Sequence, residues 1–304
     1  MCTSSSSCAN CGKGEEDAGD LKTCTGCKMT RYCNRECQLA HRPQHKKECK
    51  KRAAELHDEK LFTQPPKLEP CPICCIDLPT MQTGSVYKTC CGKDICAGCS
   101  FAPVKDHRGN ILDNLCPFCR SPGVKTDEEM VSNVKKRMED FDDRIAIFNY
   151  GVYHYKGKYG FPQDFVKALE FWHRSAKLGH AESYHNIGDA YLNGRGVTRD
   201  MKKAEYYWEI AAMNGDIFSR FNLGMKEQQA GNMERAKKHY MIAVKCGEID
   251  ALANLQHLYL SGYATSEEYS DAERSYKEYV DEIKSDQRDM AAAATDENAY
   301  YTPY

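Results

Sequence analysis

Sixteen residues of this sequence have the type and spacing of metal ligands, and all of them precede Arg120. Seventeen of the eighteen cysteines fall between Cys2 and Cys119, whereas the last 185 residues hold only Cys246. The first set reads Cys8-x2-Cys11, Cys24-x2-Cys27, Cys33-x3-Cys37 and His45-x3-Cys49. Seven thiols and one imidazole supply the eight N/S ligands that two closed tetrahedral Zn²⁺ sites require. Two-residue gaps let both thiolates of a tight turn face one metal. Three-residue gaps put ligands at i and i+4, on one face of a helix, which predicts short helical turns at Cys33/Cys37 and His45/Cys49. The second set reads Cys71-x2-Cys74, Cys90-Cys91, Cys96-x2-Cys99 and Cys116-x2-Cys119, eight thiols and again two sites. The adjacent Cys90-Cys91 pair is unusual because neighbouring side chains rarely meet at one metal without strain, and His107 or Cys75 are alternatives to one of the two. The expected load is four Zn²⁺ per chain, with Cys2, Cys75 and Cys246 left over.

These thiols need a reducing compartment. The N-terminal MCTSSSSCANCG has neither an apolar core nor an early Lys or Arg, so no signal peptide is expected. No stretch approaches the ~18 apolar residues of a membrane span. The expected location is cytoplasmic or nuclear, where clustered cysteines are metal ligands rather than disulfides. A net charge of −2 gives no field for nucleic acid or an acidic membrane. The basic run KKECKKR at 46–52 reads as a solvated face, so nucleic acid is not an expected partner.

The first cluster, with Tyr32, Gln38 and His45-Lys46 also in place, resembles a MYND-type zinc finger. The resemblance implies cross-braced ligation, Cys8, Cys11, Cys33 and Cys37 on one zinc and Cys24, Cys27, His45 and Cys49 on the other. It also implies binding of proline-containing peptides or partner proteins. Arg42 stands where the family usually carries the Trp of its peptide groove, a departure that bears on peptide binding and not on zinc. His41, beside the motif, is expected to be a solvated surface histidine.

The second cluster, opening CPIC and closing CPFCR, resembles an all-cysteine RING finger. The resemblance implies one zinc on Cys71, Cys74, Cys96 and Cys99 and another on Cys90, Cys91, Cys116 and Cys119. It further implies a docking surface for a ubiquitin-conjugating enzyme. Ile73 would be its apolar contact, Pro117 the other wall of its groove, and Arg120 the donor bridging ubiquitin and enzyme, a role suited to a planar fork of N–H groups. Such a finger acts by positioning, so no covalent catalytic residue is expected. Lys93 occupies the place of the usual RING histidine, and a protonated amine is a poor zinc ligand. Elsewhere there is no phosphate loop, GxSxG or kinase set.

After the cysteines comes a repeat. Ala168, Ala204, Ala236 and Ala272 are followed four residues later by Trp172, Trp208, Tyr240 and Tyr276, and four further by Ala176, Ala212, Val244 and Val280. Asparagine recurs at 149, 186, 222 and 254, and Gly179, Gly215 and Gly247 close three units. The i, i+4, i+8 spacing is one helix face, and a closing glycine suits a left-handed cap. This predicts helix pairs at about 145–156/164–178, 181–193/200–214, 217–230/232–246 and 249–261/268–284. Unit two, AYLNGRGVTRDMKKAEYYWEIAAMNG, resembles a Sel-one-like repeat, a relative of the tetratricopeptide repeat, which implies a surface for proteins or peptides. Trp172, Trp208 and Cys246 are expected in the core.

The expected fold is multidomain: two small zinc-stabilised fingers (MYND-like, RING-like) followed by an all-α helical-repeat solenoid. The segments are a first finger at 8–49, a helical linker at 50–68, a second finger at 69–123, a linker helix at 124–144, about four repeats at 145–284 and a disordered tail at 285–304, with a helical extension to about Ala294 as its alternative. The expected function is a zinc-binding interaction scaffold acting as a RING-type ubiquitin-protein ligase, with the repeats or the first finger recruiting substrate. The alternative is a non-catalytic zinc-finger/solenoid adaptor.

Overall fold

The computed structural model describes residues 7–80 and 84–294. The chain divides into two compact units at Thr63/Gln64.

In the first unit, α1 (Glu15–Ala18) precedes β1 (Lys22–Thr23), which pairs antiparallel with β2 (Arg31–Tyr32), Lys22 opposite Tyr32. A single 27-residue helix, α2 (Arg35–Leu61), follows. The two expected helical turns are thus one helix, and residues 50–61, expected as a separate linker, continue it. Cys33 lies outside this helix, before the N-cap Asn34, whose Oδ1 accepts from the Cys37 N–H at 2.8 Å. The buried apolar set is small, Leu21 and Tyr32 with Cys8, Cys24 and Cys27, so the sulfurs themselves are the core. A unit of this size needs such a metal staple to fold.

The second unit opens with another sulfur core, Cys71, Cys96 and Cys99 with Leu78 and Ile95. Its hairpin joins β3 (Ser85–Lys88) to β4 (Lys93–Cys96), Ser85 opposite Cys96, and leads into α3 (Ala97–Phe101). Next, α4 (Asp127–Phe141) starts at Thr126, which caps the Glu129 N–H. Its Val134 and Met138 are buried with Ala146, Ile147 and Tyr153, so 124–144 is a packed joint rather than a spacer.

Four helix pairs follow: α5 (Arg144–Lys156) with α6 (Phe165–Lys177), α7 (Ala181–Asn193) with α8 (Met201–Met213), α9 (Ile217–Gln229) with α10 (Met233–Lys245), and α11 (Ile249–Leu260) with α12 (Ser266–Ile283). The repeated alanines are fully buried, because only a small side chain lets paired helices approach. Glycine does the same from the other side. A Cβ at Gly151, Gly188 or Gly224 would lie 2.8, 2.6 or 2.6 Å from the ring of Trp172, Trp208 or Tyr240 respectively. In the first three pairs the aromatic of the second helix therefore lies against a glycine of the first.

The segment expected as a disordered tail is in part a helix, α13 (Asp286–Ala294). Arg288 is fully buried there. Its Nη1 donates to Ile283 O at 2.6 Å and its Nη2 to Ile76 O at 3.3 Å. Gly98 on α3 admits this helix, since a Cβ would lie 2.7 Å from the Arg288 backbone nitrogen. Carbonyls accept from both Nη groups of the guanidinium, and these bonds order a stretch with no apolar period. Residues 295–304, including YYTPY, lie outside the described residues.

Candidate metal centres

Four Cys-x2-Cys turns in the two fingers share one geometry. In each, the residue after the second cysteine has positive φ: Gly12 (74°), Lys28 (58°), Cys75 (59°) and Arg120 (62°). Its N–H donates back to the carbonyl of the first cysteine, Cys8, Cys24, Cys71 or Cys116, at 2.9–3.0 Å. The turn closes over the metal position and aims both thiols at it. The left-handed residue is the cost of that closure, about 1–2 kcal/mol for a non-glycine. The sequence signal was present, a fixed position after each pair, but it is conformational and not a ligand signal.

These turns bring all sixteen predicted ligands together in four groups: Cys8/Cys11/Cys33/Cys37, Cys24/Cys27/His45/Cys49, Cys71/Cys74/Cys96/Cys99 and Cys90/Cys91/Cys116/Cys119. Within each group the ligand atoms lie within 4.8 Å of one another. Representative separations are 3.6 Å for Cys11–Cys33, 3.7 Å for Cys24–Cys49, 3.8 Å for Cys74–Cys96 and 3.5 Å for Cys90–Cys119. Sulfurs held at Zn–S distance on a tetrahedron sit about 3.8 Å apart, whereas a disulfide needs ~2.05 Å. The donor sets therefore fit zinc and not cystine. Cys90 and Cys91 both join one group, and neither Cys75 nor His107 does. Gly92, at φ 68°, turns the backbone directly after the adjacent pair.

His45 shows how a ligand is oriented. Its Nε2 is 3.4 Å from Cys27 Sγ and its Nδ1 is 3.5 Å from Thr30 Oγ1. A hydroxyl on the far nitrogen fixes the ring and leaves Nε2 for metal. His41 departs from expectation. It is half-buried, its Nδ1 is 3.0 Å from the Tyr32 hydroxyl, and its ring stacks on His45 at 5.7 Å. It supports a ligand from behind.

One thiol in each group is prepared for ionisation. Burial alone would raise Cys8, but the backbone amides of Cys11, Cys33 and Asn10 outweigh it and hold the group below the ordinary thiol range. Cys27, Cys71 and Cys119 are lowered against burial in the same way, by local N–H donors and, for Cys27 and Cys119, a Thr30 or Ser121 hydroxyl. Burial first, then neighbouring thiols, push Cys49, Cys90 and Cys99 upward. A divalent cation held by these groups would supply the charge that ionises them.

The three residues expected to contact a conjugating enzyme sit on the second finger's knuckles. Ile73 is 40% exposed, Pro117 half-buried and Arg120 exposed. The Arg120 Nη1 donates to Lys105 O at 3.3 Å, so its guanidinium rests on the finger rather than hanging free. Beside it Phe118 is exposed, with the Lys93 ammonium 6.0 Å from its ring centroid.

Residues 8–49 match the family model of the MYND finger, and residues 144–180 and 181–216 match that of the Sel1 repeat. Among curated proteins, the chain is 28% identical over 138 residues to the ERAD-associated E3 ubiquitin-protein ligase component HRD3B of Arabidopsis thaliana. That similarity covers 45% of this chain and 21% of the relative, so the chain spans about a fifth of the relative's length. Among solved structures, a Sel1 repeat protein from Oxalobacter formigenes is 21% identical with a TM-score of 0.45, covering 57% of this chain and 81% of its own. A protective antigen of uropathogenic Escherichia coli with an SLR fold is 18% identical with a TM-score of 0.44, covering 59% and 43%. The chain combines a zinc-binding, cysteine-rich N-terminal region with an all-helical Sel1-type solenoid, the make-up of a protein-interaction scaffold.

Proposed function

We propose that the second finger is of RING type, that the two fingers hold four zinc ions, and that the chain acts as a ubiquitin-protein ligase whose repeats or first finger recruit substrate. The observation that carries this reading is the placement of Ile73 and Arg120. Both lie on Cys-x2-Cys turns of interleaved thiol groups, and both stay exposed although the finger is docked on the solenoid. Zinc, when bound, supplies the structural core of each finger. The chain's own part is to hold a conjugating enzyme against Ile73 and Pro117 while the Arg120 fork donates to carbonyls of enzyme and ubiquitin. Transfer is then accelerated by positioning. A relative named as an E3 ligase component is consistent with work in such an assembly.

The test is autoubiquitination by the zinc-loaded full chain with a panel of conjugating enzymes. Ile73→Ala and Arg120→Ala are each expected to lower product formation at least 10-fold, with metal analysis still giving four zincs. Absence of transfer by a protein holding four zincs would assign the chain as a non-catalytic adaptor. A content of two would mean that one finger carries no metal.

A further inference from the structure

Arg288 is a buried cation whose counter-charge is not a carboxylate. It is 0% exposed. Its Nη groups donate to the carbonyls of Ile283 and Ile76, and its buried Nε meets no acceptor. Carbonyls satisfy N–H groups without cancelling the charge behind them. Among the described residues no carboxylate pairs with this guanidinium, although buried charges are as a rule paired.

What lies against the arginine is the thiol group Cys71/Cys74/Cys96/Cys99. The Ile76 carbonyl that accepts from Arg288 Nη2 at 3.3 Å also accepts from the Cys71 N–H at 2.9 Å. Gly98 stands between the ligands Cys96 and Cys99, and a Cβ there would lie 2.9 Å from Arg288 Cγ. The Gln287 side-chain amide is 3.7 Å from Cys99 Sγ. The first turn of α13 thus touches this group on both of its Cys-x2-Cys turns. The group is also the most enclosed of the four. Three of its ligands are buried, against two, one and one in the others. Four thiolates around one divalent cation carry two negative charges in excess. With water held away, that excess is poorly screened. A guanidinium is its complement, and the Gln287 amide can turn its nitrogen to donate to a Cys99 thiolate.

We propose that Arg288 is a positioning residue for this metal site: its guanidinium balances the surplus charge of the zinc–thiolate centre, so that metal and α13 hold each other in place. The inference rests on the reading that this group binds zinc, and it adds a regulator of that one site. Such coupling is reciprocal. Metal favours docking of α13, and docked α13 slows the loss of metal. A helix near the end of the described chain thereby guards the turn that carries Ile73.

The experiment loads the full chain with ¹¹³Cd²⁺, a soft cation that takes thiolate ligands as zinc does. Each bound ion is followed by its NMR resonance during competition with excess EDTA. Cys74→Ser identifies the resonance of this group by shifting or abolishing it. In Arg288→Met that ion should leave at least 10-fold faster than in the native chain, while the ions of the first finger keep their rates within about 2-fold. Arg288→Lys restores the charge without the fork that spans two carbonyls, and should bring the rate back to within about 3-fold of native. A Lys variant as fast as the Met variant would overturn the proposal, because the arginine would then anchor carbonyls and balance no charge. Native release in Arg288→Met would overturn it too. If Arg288→Met takes up no metal in any group, Ala291→Glu replaces it, since Ala291 packs on Ala97 and its loss expels α13 from α3. The same acceleration at the same resonance is expected, and an equal acceleration of the first-finger ions would overturn the proposal. If Cys74→Ser alters no resonance, the zinc reading of this group falls and the proposal with it. If only the Arg288 and Ala291 variants behave as native, that reading stands and the proposal alone falls.

Discussion

The Tyr87 hydroxyl, on the second finger's hairpin, donates a 2.8 Å hydrogen bond to Asp143 Oδ2 at the entry to the solenoid. The same oxygen accepts from Arg137 Nε at 3.0 Å and Nη2 at 2.9 Å. The other carboxylate oxygen caps α5 through the Ile145 and Ala146 N–H groups. One largely buried carboxylate thus joins finger, joint helix and first repeat. Gly92 makes room for the arrangement, since a Cβ there would land on the Arg137 guanidinium.

Breaking this junction should have graded effects. Asp143→Ala leaves the half-buried Arg137 without its carboxylate and uncaps α5, and is expected to cost about 3 kcal/mol. Tyr87→Phe removes one neutral donor and should cost about 1 kcal/mol. Urea unfolding of the zinc-loaded chain measures both. Equal losses would mean that the hydroxyl, and not the ion pair, carries the junction.

Cys75 is explained by conformation and not by metal. It is exposed, belongs to none of the four ligand groups and sits at φ 59°. Cys75→Gly should therefore stabilise the chain by about 0.5 kcal/mol, the left-handed strain relieved less the extra freedom of the unfolded chain. Cys75→Val should destabilise it by at least about 1 kcal/mol, because a β-branched residue fits that region worst. Both should keep their zinc. Loss of metal in Cys75→Gly would make the thiol a ligand after all.

His239 sets an acid limit on the solenoid. It is 1% exposed, and burial, followed by the Arg220 and Arg235 charges, lowers it to about 3. The unfolded chain takes up this proton near pH 6.5 while the folded chain refuses it. The histidine's contribution is therefore intact above pH 6.5 and is lost as pH falls toward 3. Between pH 6.5 and 4.5 the loss should be on the order of 2–3 kcal/mol. Melting of the native chain and His239→Gln at pH 7 and 4.5 checks it. The native chain should lose more, and identical losses would sink the assignment.

The helix pairs were legible because alanine and aromatic residues recur at i and i+4, a period that only a helix face produces. The four groups of thiols and imidazole were legible because metal ligation imposes spacing. Other features were not written as period or spacing. Arg288 enters the interior through carbonyls of Ile283 and Ile76, so α13 reads as polar, and its helix stands in the sequence only as the alternative to a tail. Pro43 and the charged run after Cys49 hid the continuity of α2. The contact of each indole with a glycine, Trp172 with Gly151 and Trp208 with Gly188, is visible only in the packing.

The α13–Gly98 contact also orders events in time. The Cys99 thiol faces the Gln287 side chain across 188 residues of sequence. At a synthesis rate of ~5–20 residues per second, roughly 10–40 s pass between emergence of the second finger and emergence of the helix that covers it. Its last ligand, Cys119, still precedes Gln287 by 168 residues, so the ligand set is complete for most of that interval while the α3 face is open. A second finger that closes on metal within that interval does so before α13 covers its α3 face.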